Sequence, residues 1–112
     1  MKLRYHGDKL LRKWSVMSIC EQLGNVGSEV GRATKWLEKG KKDLMKNCLD
    51  RAFELLDLTI TDQRWQNHRQ KELKTAREVL ADAFYGQGEY KTTPEEIEKY
   101  FYQYALAARH NK

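Results

Sequence analysis

The sequence predicts an all-α protein, an antiparallel four-helix bundle with or without a short additional helix near the N-terminus. Apolar residues recur at alternating steps of three and four in four successive segments, as they do along a helix that faces other helices. Glycine, threonine and proline separate these segments by short connections, which favours a bundle. With 112 residues, 40% of them hydrophobic, the chain has room for one domain with a modest core.

The first long helix is predicted over residues 15–39 and carries the strongest periodicity. Ser15 is one candidate for its N-cap, and Ser18 with Glu21 forms an alternative capping box. Gly40 follows the last apolar position and is placed to end the helix. The predicted apolar face consists of Val16, Ile19, Leu23, Val26, Val30, Ala33 and Leu37.

A glycine stripe formed by Gly24, Gly27 and Gly31 runs beside this apolar face. Each glycine lowers the stability of a helix interior by roughly 0.5 to 1 kcal/mol relative to alanine. Three glycines on one stripe therefore indicate a use for the missing side chains. We expect the close approach of another helix, from the same chain or from a second one; room for the flat face of a ligand is the alternative.

Three further helices complete the predicted bundle. The second is predicted over residues 42–60, with a wide apolar arc. The third is predicted over residues 61–85 and begins with the capping residue Thr61. Its first half offers only Trp65 as an apolar residue, so this end is expected to project past the core or to fray. A Thr-Pro-Glu-Glu sequence starts the fourth helix, over residues 94–109.

The charge of the chain is unevenly distributed. The net charge is +5, but residues 1–14 and residues 64–77 each carry five basic side chains against one acidic. Residues 89–98 carry four acidic side chains against one basic. Such asymmetry is typical of a protein that attracts an acidic partner or nucleic acid, and equally of solvated helix faces. Residues 1–14 are predicted to form either a basic arm or a short helix, and residues 15–112 a single four-helix domain.

The sequence also bears on location and disulfides. It lacks an apolar stretch of the kind that a secretion signal or a membrane span requires, so we expect a cytoplasmic protein without membrane association. Cys20 and Cys48 are predicted to lie too far apart along two neighbouring helices to form a bridge.

Five segments of the chain carry a resemblance: residues 24–33 (GNVGSEVGRA), 35–40, 52–59, 77–80 and 99–102. Together they resemble a family of small uncharacterised prokaryotic helical proteins, over residues 14–109. This resemblance implies a compact helical domain and no particular activity. The chain is more distantly similar to the HEPN and nucleotidyltransferase-substrate-binding class of four-helix bundles, which pair with nucleotidyltransferases or cut RNA. Neither Arg64 with His68 nor Arg109 with His110 matches the arginine and histidine spacing of that class's ribonuclease motif.

A basic cluster in the third predicted helix is the candidate site for RNA or a nucleotide. Cationic side chains bind phosphates, and an aromatic ring can stack on a base. On a continuous helix Arg64 and His68 share one face, with Lys71 a turn further on. The candidate residues are Arg64, Trp65, His68, Arg69, Lys71 and Lys74.

Aromatic residues off the apolar faces indicate self-association. Tyr100 and Tyr102 lie about 160° apart around the last helix, so at least one of them points away from the core. Trp36 lies beside the main apolar face of the first long helix. With the glycine stripe, these residues are the candidates for helix packing or an interface: Gly24, Gly27, Gly31, Trp36, Tyr100 and Tyr102.

No catalytic residue, metal ligand or cofactor is predicted, because the histidines are far apart and none accompanies a nucleophile in a recognisable pattern. The preferred hypothesis is a non-enzymatic protein-interaction module that forms a homodimer, or binds another protein, through the glycine stripe and exposed aromatic residues. Binding of RNA or a nucleotide through residues 64–74 is the alternative. A small-molecule binder within the bundle is a third hypothesis.

Overall fold

The computed structural model describes residues 7–66 and 68–110, and over these residues the chain is all-helical, as predicted. The helices pack as a bundle. They are α1 (Asp8–Trp14), α2 (Ile19–Glu38), α3 (Lys42–Ile60), α4 (Gln70–Tyr85) and α5 (Pro94–His110), with a 3₁₀ turn (Gln63–Trp65) between α3 and α4. None of the helices within the described ranges combines the length and apolar character needed to cross a bilayer.

Helix α2 lies at the centre of the bundle. It packs most extensively against α3 and α5, whereas α4 packs less extensively against the same two helices. Within the described residues both cysteines are free, and Cys48 is buried. The largest fully buried side chains come from α2, α3, α4 and α5: Phe101, Leu23, Leu49, Leu56, Leu73 and Leu80.

The N-terminal segment forms a helix over Asp8–Trp14. Trp14 anchors it to the bundle, since its side chain is 2% exposed. The indole Nε1 of Trp14 donates a hydrogen bond to Thr59 Oγ1 at 3.2 Å, and its carbonyl accepts one from Gln22 Nε2 at 2.9 Å. The part of the predicted basic arm in residues 1–6 lies outside the described residues.

The start of α2 corrects the prediction of a helix from residue 15. Ser18 is the N-cap: its hydroxyl accepts from the Glu21 N–H, and the Glu21 carboxylate accepts from the Ser18 N–H, both at 3.1 Å. This capping box satisfies two groups at once, whereas the Ser15 hydroxyl donates to a carbonyl in the last turn of α1. Val16 therefore lies between two helices and is 79% exposed, so its predicted place on the apolar face is wrong.

The glycine stripe lies against α5 of the same chain. A Cβ built on Gly27 would lie 2.9 Å from the Cβ of Phe101, and one built on Gly24 would lie 3.0 Å from the Cα of Ala105. Because the residue numbers rise along α2 as they fall along α5, these two helices run in opposite directions. The close helix approach that the stripe indicates thus occurs within the chain, at Gly24 and Gly27, whereas among the described residues Gly31 meets only the end of the Glu98 side chain.

The connection between α3 and α4 corrects the prediction of one continuous helix over residues 61–85. The Asp62 carboxylate accepts a hydrogen bond from the Arg64 N–H at 3.0 Å, which caps a 3₁₀ turn instead of an α-helix. The side-chain amides of Gln66 and Gln70 donate to the carbonyl of Ile60, at 3.1 Å and 2.8 Å, and so satisfy the end of α3.

Gln22 is fully buried and joins α1, α2 and the 3₁₀ turn. Its amide nitrogen donates to the Trp14 carbonyl and to Asp62 Oδ2, at 2.9 Å and 3.0 Å. Its amide oxygen accepts from the indole Nε1 of Trp65 at 2.9 Å. Every hydrogen-bonding group that this network buries therefore has a partner, as a stable buried network requires.

The network makes the stability of the fold depend on pH. Hydrogen bonds from Arg64, with a smaller contribution from Gln22, lower the pKa of Asp62 from 3.8 to about 2. The ionised carboxylate therefore contributes stability above about pH 4, and that contribution is lost as the pH falls towards about 2. We expect Asp62→Asn to lower the free energy of unfolding by on the order of 1 to 2 kcal/mol at neutral pH. We also expect the variant to lose less stability than the wild type as the pH falls from about 4 towards about 2.

Urea unfolding at a series of pH values measures both effects. Asp43→Asn, which removes an exposed carboxylate in the first turn of α3, is the matched control. If the free energy of unfolding depends on pH in the same way for the wild type and Asp62→Asn, the Asp62 carboxylate is not the group responsible.

Candidate functional site

An open groove of about 520 Å³ lies between α4 and α5. This volume falls within the range of roughly 300 to 1,000 Å³ that is typical of ligand sites. Its floor is apolar and consists of Ala76, Val79 and Ile97. We refer to it as the α4/α5 groove, which is lined by His68, Lys71, Glu72, Thr75, Ala76, Val79, Ile97 and Tyr100.

Glu72 and Tyr100 form one polar corner of the groove, and Tyr104 supports it from outside the lining. Glu72 Oε1 accepts hydrogen bonds from the hydroxyls of Tyr100 and Tyr104, at 3.0 Å and 2.9 Å. The two rings pack edge to face with their centroids 5.5 Å apart. Burial, reinforced by the neighbouring hydroxyl and carboxylate, raises the pKa of Tyr100, and burial also raises the pKa of Tyr104. Both phenols therefore stay protonated at neutral pH and act as hydrogen-bond donors.

The rim of the groove along the start of α4 is basic. Lys71 lines it next to Glu72, His68 lines it just before the helix, and Lys74 is exposed one turn further along α4. Arg69 is the N-cap of α4, and no side chain caps this terminus, so the positive end of the helix dipole adds to the charge. Neither Lys71 nor Lys74 forms an ion pair with another described residue.

Arg64 and Trp65 do not join this basic rim. Arg64 forms two hydrogen bonds with the carboxylate of Asp62, at 3.0 Å and 2.8 Å, and its guanidinium lies 4.6 Å from the centroid of the Trp65 ring. The Trp65 indole in turn donates to Gln22. Since the 3₁₀ turn interrupts the helix, Arg64 and His68 do not share a helix face, and that prediction is wrong.

The aromatic candidates separate into different environments. Tyr100 is half-buried in the α4/α5 groove. Trp36 is half-buried against the core, with the Lys39 ammonium 5.3 Å from its ring centroid. Only Tyr102 among the three is exposed, at 49%, and Leu106 follows it one turn later on the same helix. The prediction that Tyr100 and Tyr102 cannot both face the core is confirmed.

The solvent face of α4 is positively charged near the start of the helix and negatively charged near its end. Lys71, Thr75, Glu78 and Asp82 follow one another at steps of four, three and four, which places them on one stripe. Glu78 Oε2 accepts from the Tyr90 hydroxyl at 2.6 Å. Asp82 accepts three backbone N–H groups from the loop that leads to α5. The stripe is therefore basic at the start of α4 and acidic at its end.

Sequence reasoning identified part of this site. It missed Glu72, Tyr104 and the apolar floor; the spacing of four between Tyr100 and Tyr104 was the one signal available. Among the described residues, no group of three or more histidine, cysteine, aspartate and glutamate side chains is arranged to hold a metal ion. In comparisons with protein-family models, curated proteins and solved structures, nothing matches this chain.

Proposed function

We propose that the chain is a non-enzymatic protein-interaction module that forms a homodimer, and that its contact surface is the α4/α5 groove. In this proposal the long helices α2, α3, α4 and α5 form an antiparallel four-helix bundle. The observation that carries the proposal is the apolar floor of the groove, which stays open between two helices, whereas α5 packs against Gly24 and Gly27 of the glycine stripe. A groove between two helices accepts the ridge of a further helix, and such packing is a common mode of protein recognition.

The composition of the groove supports a protein partner. Apolar side chains form its floor, and charged or hydroxyl-bearing side chains such as Lys71 and Glu72 form its rim. An apolar centre within a polar rim is the usual arrangement of protein interfaces. The two phenols stay protonated and donate to Glu72, which favours binding over catalysis at this corner.

Sedimentation equilibrium at micromolar to submillimolar concentration tests the proposal. We expect the wild type to form a species of twice 13.3 kDa. Val79 is half-buried in the groove, so Val79→Glu is expected to weaken association by at least about tenfold, or about 1.4 kcal/mol, while the fold is retained.

Leu106→Ser provides the matched control. Leu106 is an exposed apolar residue of α5 outside the groove, so this variant is expected to associate like the wild type. Circular dichroism melts verify that each variant folds. A strict monomer at every concentration would refute the proposal, and so would a dimer that Leu106→Ser abolishes and Val79→Glu leaves intact.

Binding of RNA or a nucleotide is the second candidate function. It is supported by His68, Arg69, Lys71 and Lys74, which lie close together at the start of α4 beside an apolar floor. Phosphate-driven binding weakens steeply with salt. If this function holds, single-stranded RNA binds at low salt, loses affinity at high salt, and binds Lys74→Gln more weakly. Absence of binding at low salt would remove this candidate.

A further inference from the structure

We infer that the second copy docks with its α4 antiparallel to the first, about a two-fold axis near Thr75, so that Lys71 of each chain faces Glu78 of the other. This inference rests on the proposed function and specifies the partner and its orientation. Its basis is the charge stripe on α4: Lys71 and Glu78 are both exposed, and Thr75 lies between them on the same stripe.

The spacing of the two charges fits a two-fold axis. Seven residues are close to two helical turns, so Lys71 and Glu78 leave α4 in nearly the same direction, about 10 Å apart along its axis. A two-fold rotation between them exchanges the basic and acidic ends of α4. The same rotation creates the Lys71 to Glu78 contact twice, as the symmetry of a homodimer requires.

The surroundings of each charge follow the same pattern. Arg69 and the uncapped positive end of the helix dipole lie at the end of α4 that carries Lys71. Asp82 adds negative charge one turn beyond Glu78. In a parallel arrangement of the two helices, like ends would meet and repel each other, so the pattern selects the antiparallel arrangement.

The centre of the face allows close contact. Thr75 is small and exposed, and the apolar floor with Val79 lies beside it. Helices whose contact residues are small approach to about 8 to 10 Å between axes, a distance at which lysine and glutamate side chains reach across. The Tyr90 hydroxyl holds Glu78 through Oε2, which keeps the carboxylate in place and does not use Oε1.

Charge reversal tests this arrangement by sedimentation equilibrium. Lys71→Glu and Glu78→Lys each place like charges opposite one another, and each is expected to weaken the dimer about tenfold. The double variant K71E/E78K restores both pairs with their signs exchanged, so it is expected to associate within about threefold of the wild type. An equimolar mixture of the two single variants is expected to form a heterodimer.

Two controls accompany these variants. Lys35→Glu changes the same charge on an exposed position of α2 and is expected to leave association unchanged. Glu78→Gln keeps an acceptor for Tyr90 and removes the charge, so its effect should be smaller than that of Glu78→Lys.

The outcomes distinguish this inference from the proposed function. A double variant that remains as weak as the single variants, or single variants that associate like the wild type while Val79→Glu disrupts the dimer, would overturn the arrangement and leave the groove as the contact surface. A monomeric wild type would overturn both.

Discussion

Gly27→Leu is expected to lower the free energy of unfolding by on the order of 1 to 3 kcal/mol. A Cβ at this position already lies 2.9 Å from the Cβ of Phe101, and 3.3 Å from its backbone carbonyl carbon. Phe101 is fully buried and its backbone belongs to α5, so neither atom can move without displacing the helix. A larger side chain must therefore push α5 away from α2.

Alanine substitutions provide the sharper comparison along the glycine stripe. Helix propensity alone predicts that every glycine-to-alanine change in α2 stabilises the fold by up to about 1 kcal/mol. At Gly31 the nearest atom to a new Cβ is the carboxylate oxygen of Glu98 at 3.3 Å, which is the end of a flexible side chain. We expect Gly31→Ala to be neutral or stabilising and Gly27→Ala to be destabilising. Urea unfolding followed by circular dichroism measures the difference, and equal stabilisation by both changes would contradict backbone contact at Gly27.

Gln22→Met is expected to lower the free energy of unfolding by on the order of 2 to 4 kcal/mol. Methionine has a similar length and fills the same space, but it cannot form the three hydrogen bonds of the glutamine amide. The Trp65 indole and the Trp14 carbonyl would lose their buried partner, and each such loss has a cost of about 1 to 3 kcal/mol. Asp62 would lose one of the donors that hold its carboxylate.

Asn25→Ala is the control for this substitution. Asn25 lies on the same helix, one turn from Gln22, but it is exposed. We expect a change within about 0.5 kcal/mol. Thermal unfolding followed by tryptophan fluorescence reports on Trp14 and Trp65 directly. If Gln22→Met proves as stable as Asn25→Ala, the hydrogen-bond network contributes little to the fold.

Local signals made much of the fold predictable. The capping boxes of α2 and α5 lie within four consecutive residues, so Ser18 with Glu21 and Thr93 with Glu96 are visible in the sequence and present in the structure. The sequence did not show whether Ser15 or Ser18 is the N-cap of α2, because the answer depends on α1. The Ser15 hydroxyl bonds to the last turn of that helix.

Contacts between distant residues explain the errors. The break between α3 and α4 depends on Asp62, whose carboxylate meets an amide 40 residues away in sequence. The candidate site shows the same limit. His68 and Lys71 were identified from their charge, but the bonds from Tyr100 and Tyr104 to Glu72 span 28 and 32 residues. The sequence places Arg64 in a surface cluster, but its guanidinium hydrogen-bonds to Asp62. These bonds require the 3₁₀ turn, which the spacing of apolar residues does not reveal.

The central claim is that two copies meet through the α4/α5 groove, and concentration-dependent amide chemical shifts test it most directly. Spectra of the labelled protein at micromolar and submillimolar concentration should differ at Lys71, Thr75, Glu78 and Val79, and should coincide for the exposed face of α2. Shifts confined to the α5 surface around Tyr102 and Leu106, or spectra that do not change with concentration, would contradict the claim.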